Sequence, residues 1–494
     1  MHMDRATARA IPDAGRSLAT PDPSGRAQPP DRMVIRYLDG TTTASPVVSG
    51  LRLLRREEVP TSRLLAALST ALDLTEGQLP GHALRTAYLA TRAAGAMGLP
   101  AAERATVFYA AFLKDAGCSS NAAAVTRIFG MDDIALKGRQ AGLERSILAY
   151  AAFTIRNLPE TEPLPLRLRR LIRIGLTGTR ERRAAEQIRC ERGAAIARKA
   201  GFGEAVGAAV HDVHEHWDGG GEPRGLARAD IDRHARIIAA CAGLDLFVSL
   251  RGRAEALSVL AARRGTWYEP DVVDALFDLA THGLLDELDD ADIVGRTMAL
   301  GPVERVDAGL DVDVDRLASA FADIVDAKSP FTGSHSQRVA SVAERVAIHL
   351  GLPDADILDV RRAGLLHDLG KLGVPNTILD KPSRLEPSEF EVIRRHPELT
   401  LRILEPVPAF AAVAELAACH HERLDGRGYF RGMTEPELTI GARIVAVADV
   451  YEAQTADRPY RPAMPVEKAL DILRSEAGEH LAGDVIEALV ATLD

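Results

Sequence analysis

From about Thr61 almost to the C-terminus, apolar positions recur at helical spacing. Leu64, Leu65, Leu68 and Leu72 form one stripe, and Val339, Val342, Val346 and Leu350 form another. Gly-Leu-Pro closes helices at Gly98–Pro100 and Gly351–Pro353. Residues 1 to about 32 carry no such period. They are rich in Pro, Ala, Arg and Asp and read as a disordered leader, with low order expected to residue 50 and one short β-like segment from Met33 to Leu38. The acidic stretch from Asp286 and the loose sequence around Gly301 to Asp311 read as a linker, residues 286–312. The pattern predicts an all-α chain.

The helical part repeats itself. The segment from Arg63 (RLLAALSTALDL…GHALR…MGLP…LKDAG) matches that from Arg316 (RLASAFADIVDA…SHSQR…HLGLP…LHDLG) in register. Residues 63 to 82 and 316 to 335 are both 19 apart, and 82 to 114 and 335 to 367 both 32. HEHWDGGGEPRGL at His214 then answers HERLDGRGYFRGM at His421, after an insertion that gives the first copy 46 extra residues. A tandem duplication explains all the register matches together. It predicts domains at 51–285, with an Arg-rich insertion near 119–185, and at 313–494.

Composition narrows the function. With 60 basic and 70 acidic residues the net charge is −10, against a general nucleic-acid coat or a binder of anionic membranes. The longest apolar candidate, around Ile237 to Leu250, is interrupted by Asp245, so no membrane span is expected. Four cysteines without CxxC spacing give no disulfide framework and point to the reducing cytoplasm. Only seven of the 60 basic residues are lysine, which makes a lysine inside a motif informative.

The second copy gathers His335, His367, Asp368, His396, His420, His421 and Asp449. Neutral imidazole and carboxylate suit borderline to hard divalent metals. Seven donors exceed what one tetrahedral site uses and fit two metals sharing a carboxylate. A lone histidine is most often a satisfied core residue, but five histidines and two aspartates at these positions are not explained that way.

Three long motifs carry a resemblance. HDLGKLGVPNTILDKP, HHERLDGRGYF and ARIVAVADVYEAQTADRPYR are similar to the HD-GYP subgroup of the HD metal-dependent phosphohydrolase superfamily, over roughly Asp313 to Asp494. The resemblance implies two tandem HD-type helical bundles, the first degenerate. It also implies hydrolysis of cyclic di-GMP to the linear dinucleotide or GMP by a metal-bridged hydroxide. Asp368 would bridge two divalent ions (Fe or Mn). His335, His367 and Asp449 would complete one site and His396, His420 and His421 the other. Lys371 would meet a phosphate oxygen, and Tyr429, Arg458 and Arg461 the nucleotide. Glu422 and Asp425 would orient imidazoles. Three departures stand out: Phe430 replaces the proline of GYP, Phe331 replaces an acidic residue that supports a third metal in some members, and Glu452 replaces an aspartate.

At matching positions the first copy has His82, Lys114, Asp115, Arg189, Val213, His214 and Ala242, with Cys118 in place of Lys371. Cations at ligand positions repel a dication, so this copy is expected to be a pseudo-enzyme. It is expected to pair with the active copy as an intrachain pseudo-dimer, or the chain to form a homodimer. Arg167, Arg169, Arg170, Arg173, Arg180, Arg182 and Arg183 of the insertion read as a solvated, salt-bridged helix face rather than a nucleotide site. The alternatives to cyclic di-GMP hydrolysis are another cyclic dinucleotide or nucleotide as substrate, or a non-catalytic nucleotide-binding module.

Overall fold

Each repeat opens with an amphipathic helix, Thr61–Thr75 in the first and Val314–Asp326 in the second, followed by a helix that begins at its histidine, His82–Ala96 or His335–His349. The opening helix also caps the second one. Asp73 accepts the backbone N–H groups of Gly81 and Ala83 at 2.8 and 3.0 Å, and Asp326 accepts from Ser336 N and Oγ at the same place. Orphan donors at a helix start are thus satisfied and the first histidine is fixed. These observations come from a computed structural model, which describes residues 61–140, 156, 163–302, 313–330, 332–457 and 462–493. The expected leader and its β-like segment, as well as Phe331, Arg458 and Arg461, lie outside the described residues.

A third helix then leads to the HD dipeptide: Ala101–Leu113 ahead of Lys114–Asp115, and Asp354–Leu366 ahead of His367–Asp368. Among the described residues there is no strand, only isolated bridges such as Asp425 with Thr434 and Asp218 with Ala227, which fold the two matching loops alike. The chain is all-α. No helix among the described residues is long and apolar enough to cross a membrane. Inside the expected linker, Glu287–Asp289 form a 3-10 turn and Ile293–Leu300 a helix whose Thr297 is buried.

One contiguous apolar core runs through both repeats. Residues 56–494 form a single unit, and the contacts between its halves are reciprocal. Helix Thr61–Thr75 lies on the second repeat's turn Leu369–Gly373 and on its helix His396–Leu404. Helix Val314–Asp326 lies on the first repeat's turn Cys118–Asn121 and on the long helix Leu164–Lys199. Each repeat therefore covers the other's HD turn, as an isologous pair would.

Candidate metal centre

Five segments of the second repeat converge on one buried volume. His335 opens its helix, and His367–Asp368 end the next. His396 opens helix His396–Leu404, while His420 and His421 follow helix Ala411–Ala418. Asp449 comes from helix Ile440–Thr455, one turn before Glu452. The HD turn is clamped to the His396 helix by Thr400, whose Oγ1 donates to His367 O at 3.0 Å and accepts from Gly370 N at 2.9 Å. Gly370 has to be glycine, because a Cβ there would stand 2.1 Å from His396 O.

The imidazoles are aimed. His367, His396 and His420 hold Nδ1 against the carbonyls of Gly364, Ile393 and Ala417 at 2.8, 2.7 and 2.6 Å. Nδ1 is then the protonated nitrogen in each ring, and Nε2 presents a lone pair to the centre. The Nε2 atoms of His396 and His420 face each other at 3.1 Å. His367 Nε2 and Asp368 Oδ1 are buried without a hydrogen-bond partner. Lone pairs facing lone pairs at a buried site are an arrangement that a cation resolves.

Asp368 divides the donors. Its Oδ2 lies 3.6 Å from His335 Nε2 and 3.4 Å from His367 Nε2, and its Oδ1 lies 3.2 Å from His396 Nε2 and 3.7 Å from His420 Nε2. Asp449 Oδ1 is 3.3 Å from His335 and 3.8 Å from His367. His396, His420 and His421 bring ligand atoms within 4.8 Å of one another, as do His335, His367 and Asp368.

Protonation fits the same donor set. Burial opposes the charge on Asp368 and Asp449, yet His367 and Lys371 hold the first, and His335 the second, well below the usual carboxylate range. Burial pushes His396 down, burial and the neighbouring imidazoles push His420 well down, and His421 falls to about 3. His335 moves the other way despite burial, because Asp368, Asp449 and Glu452 converge on it. The neutral rings of His396, His420 and His421 beside ionised carboxylates suit divalent ions, and His335 would give up its Nε2 proton to a bound ion.

Glu452 accepts from His335 Nδ1 and from Arg338 Nε, the latter at 2.6 Å, so the substituted residue still orients the first imidazole. Glu422 and Asp425 do not orient any. Glu422 accepts from Arg431 N and Met433 N at 2.9 and 3.1 Å, and Asp425 from Arg427 N and the Arg423 side chain, so both hold the loop's own backbone and side chains. The short, rigid loop uses these carboxylates for its turns, and the imidazoles find main-chain carbonyls instead. Lys371 Nζ stands 2.6 Å from Asp368 Oδ2 with its side chain a quarter exposed. Tyr429 lies over His421, ring centroids 4.3 Å apart. Arg394, which the sequence reading missed, donates to Tyr429 O at 2.7 Å and covers its ring. Its only signal was its place two residues before His396.

In the first repeat the frame persists and the donors do not. Asp245, at the position matching Glu452, takes His82 Nδ1 at 2.7 Å and Arg85 Nε at 2.6 Å. Glu215 holds its loop at Arg224 N and Leu226 N as Glu422 does. At the centre, Arg189 Nη2 lies 3.1 Å from Asp115 Oδ1, where His396 faces Asp368 in the other copy. Lys114 pairs with the same Asp115, and Arg189 and Lys137 both reach Glu76, at 3.2 and 3.0 Å. Glu76, Asp115 and Cys118 cluster closely enough to hold a metal. That space is taken by protein cations, and burial keeps the Cys118 thiol well above its usual range and so protonated. In the insertion, Arg170 donates to the carbonyls of Arg127 and Ile128, and Arg182 pairs with Glu222 at 2.6 Å.

The HD domain family model matches residues 164–272 and 319–485, more than half of the chain. The chain belongs to the HD domain family. This HD chain is 37% identical to the 3'3'-cGAMP-specific phosphodiesterase 3 of Vibrio cholerae serotype O1, over 88% of its own length and 95% of that protein's. It is 39% identical to a cyclic di-GMP phosphodiesterase of Thermotoga maritima over 32% of its length and 44% of that protein's. A crystal structure of cyclic GMP-AMP-specific phosphodiesterases from V. cholerae superposes with a TM-score of 0.59 at 34% identity, covering 87% of this chain and 97% of that one. The chain is an HD-type metal-dependent phosphohydrolase.

Proposed function

We propose that the second repeat hydrolyses a 3'3'-linked cyclic dinucleotide to the linear dinucleotide, with 3'3'-cyclic GMP-AMP the preferred substrate. The observation that carries the chemistry is Asp368, whose two oxygens face two separate sets of imidazoles. Asp368, His335, His367 and Asp449 would hold one divalent ion, and Asp368, His396, His420 and His421 the other, with Fe or Mn suited to this mixed set. When bound, such a pair lowers the pKa of water and offsets charge on the phosphoryl oxygens.

The chain's own groups do the rest. Lys371 offers N–H donors beside Asp368 to a non-bridging phosphate oxygen. Tyr429, half-buried beside His421 and Arg394, is placed to contact the nucleotide next to the second set of imidazoles. Arg458 and Arg461 are assigned to the nucleotide by their motif alone. Buried carbonyls hold the imidazole tautomers, so no reorganisation is needed as the water is deprotonated. One water is consumed for each phosphodiester bond opened.

The preference for cyclic GMP-AMP is supported by the whole-chain likeness, tandem repeat included, to an enzyme of that name. Cyclic di-GMP is the second reading, supported by relatives so named that align with about a third of the chain. The test is turnover of each dinucleotide by the manganese- or iron-loaded chain, with products resolved by chromatography. We expect kcat/KM for 3'3'-cyclic GMP-AMP to exceed that for cyclic di-GMP about tenfold or more. The reverse ratio selects the second reading, and no product from either, in a chain holding two metals, rejects both.

A further inference from the structure

The buried ion pairs of the first repeat continue past its centre. Lys137, which pairs with Glu76, also donates to Cys118 O at 2.8 Å. It lies on helix Asp133–Gln140, within the insertion. That helix starts at Asp133, which is fully buried and reaches out of its own repeat. Its Oδ1 accepts the backbone N–H of Asn376 at 2.8 Å, and its Oδ2 has no hydrogen-bond partner.

Asn376 lies three residues beyond the turn Leu369–Gly373, which carries Lys371. Its side-chain amide donates to Lys328 O at 2.7 Å and to Asp380 Oδ2 at 2.8 Å. Lys328 is 2% exposed, and its ammonium donates to Leu372 O at 2.6 Å. Burial pushes Lys328 down to about 8, while Asp133, Asp132 and Glu76, all of the first repeat, work against that fall. A carbonyl alone does not offset the desolvation of a buried cation, and the nearby carboxylates supply the missing counter-charge. Two points just after Lys371 are thereby fixed, the Leu372 carbonyl by Lys328 and the Asn376 backbone N–H by Asp133. A 3-10 turn has weak internal hydrogen bonds and depends on such anchors.

We propose that Asp133, on the insertion of the repeat without a metal centre, is a positioning residue for Lys371, acting through the Asn376 amide and the Lys328–Leu372 contact. This rests on the assignment of Lys371 to a substrate phosphate. Without Asp133 the Asn376 N–H loses its acceptor and Lys328 the carboxylate that most opposes the effect of its burial. The turn loosens beyond Gly370 and the Lys371 ammonium is no longer held beside Asp368, while His367 O and Gly370 N stay clamped by Thr400 and the metal ligands keep their places.

The full-length manganese-loaded chain is assayed with 3'3'-cyclic GMP-AMP and with bis(p-nitrophenyl) phosphate, alongside melting temperature and bound metal per chain. Asp133→Ala is expected to lower kcat/KM about tenfold with metal content unchanged, since small misplacements of a catalytic group have costs of this order. Asp133→Asn retains an oxygen for the Asn376 N–H and is expected to stay within about threefold of wild type on the same reasoning. Lys328→Met, made together with Asp133→Asn, neutralises the buried cation and its principal opposing carboxylate at once, a change that folded proteins tolerate better than the loss of one partner. The pair frees Leu372 O and is expected to show a loss similar to that of Asp133→Ala. On a Lys371→Ala background, either change is expected to add less than about twofold, the non-additivity of groups acting through one another. If Asp133→Ala does not fold, the Lys328→Met, Asp133→Asn pair carries the test, alone and on the Lys371→Ala background. Wild-type kcat/KM in the variants overturns the proposal, as does a loss that persists in full on the Lys371→Ala background. Inactivity of the wild type on both substrates would instead reject the phosphodiesterase reading itself.

Discussion

His367 and Lys114 occupy matching positions at the ends of matching helices, and the exchange of one for the other changes what each centre can hold. An imidazole with Nδ1 on a carbonyl offers a lone pair, whereas an ammonium offers only protons. In the first repeat Arg189 and Lys114 supply the positive charge that Asp115 and Glu76 require. Removing a buried cation while leaving its carboxylates costs roughly 3–5 kcal/mol. Arg189→Met is therefore expected to lower stability by about that amount in denaturant melts, with no change in bound metal. Glu452→Ala is expected to cost about 10–100-fold in metal affinity or activity, read by chelator competition, with Glu452→Asp largely restoring it. Asp73 tests the buried frame through pH. Burial raises its carboxyl to about 6, against the charges of His82 and Lys114. The protonated form favours the fold, so its contribution is full below the ordinary carboxylate pKa and is lost as pH rises through about 6. Asp73→Asn is expected to flatten that decline, with a melting-temperature advantage over wild type that is larger at pH 8 than at pH 4.

Elements explain why part of this was legible in the sequence. The HD dipeptide, the paired histidines and the helix carrying Asp449 show as residue types at fixed spacing, and the two copies could be laid in register from them. The groups that aim the rings leave no such mark. The carbonyls of Gly364, Ile393 and Ala417 belong to residues of no special type, and Glu422, which looked like an imidazole partner, is used by its own loop. The close approach at Gly370 is likewise a property of two packed elements. Gly370→Ala is expected to force the HD turn away from helix His396–Leu404, lowering stability by about 1–3 kcal/mol or more, as overpacking does. The change should appear as a lower midpoint in urea and weaker metal retention. A wild-type midpoint would show that the turn moves freely.

At the scale of the whole molecule, the two repeats share one core, and only the second brings the full set of imidazoles and carboxylates together. Each repeat's first helix covers the other's HD turn, so neither half is complete alone. A fragment of residues 313–494 would expose that shared face. It is expected to aggregate or to lose most activity in size-exclusion and turnover assays, whereas a monomeric, fully active fragment would show that the first repeat is dispensable. This coupling could be guessed from the repeat, but contacts such as Asp133 with Asn376 join residues 243 positions apart and become visible only once the chain is folded. Of two matching centres, then, one is expected to hold metal and the other not. This is tested most directly by anomalous scattering from crystals of the manganese-loaded chain. Two peaks are expected flanking Asp368, among His335, His367, Asp449, His396, His420 and His421, and none beside Asp115. A peak at Glu76, Asp115 and Cys118, or an empty Asp368 centre, would contradict that expectation.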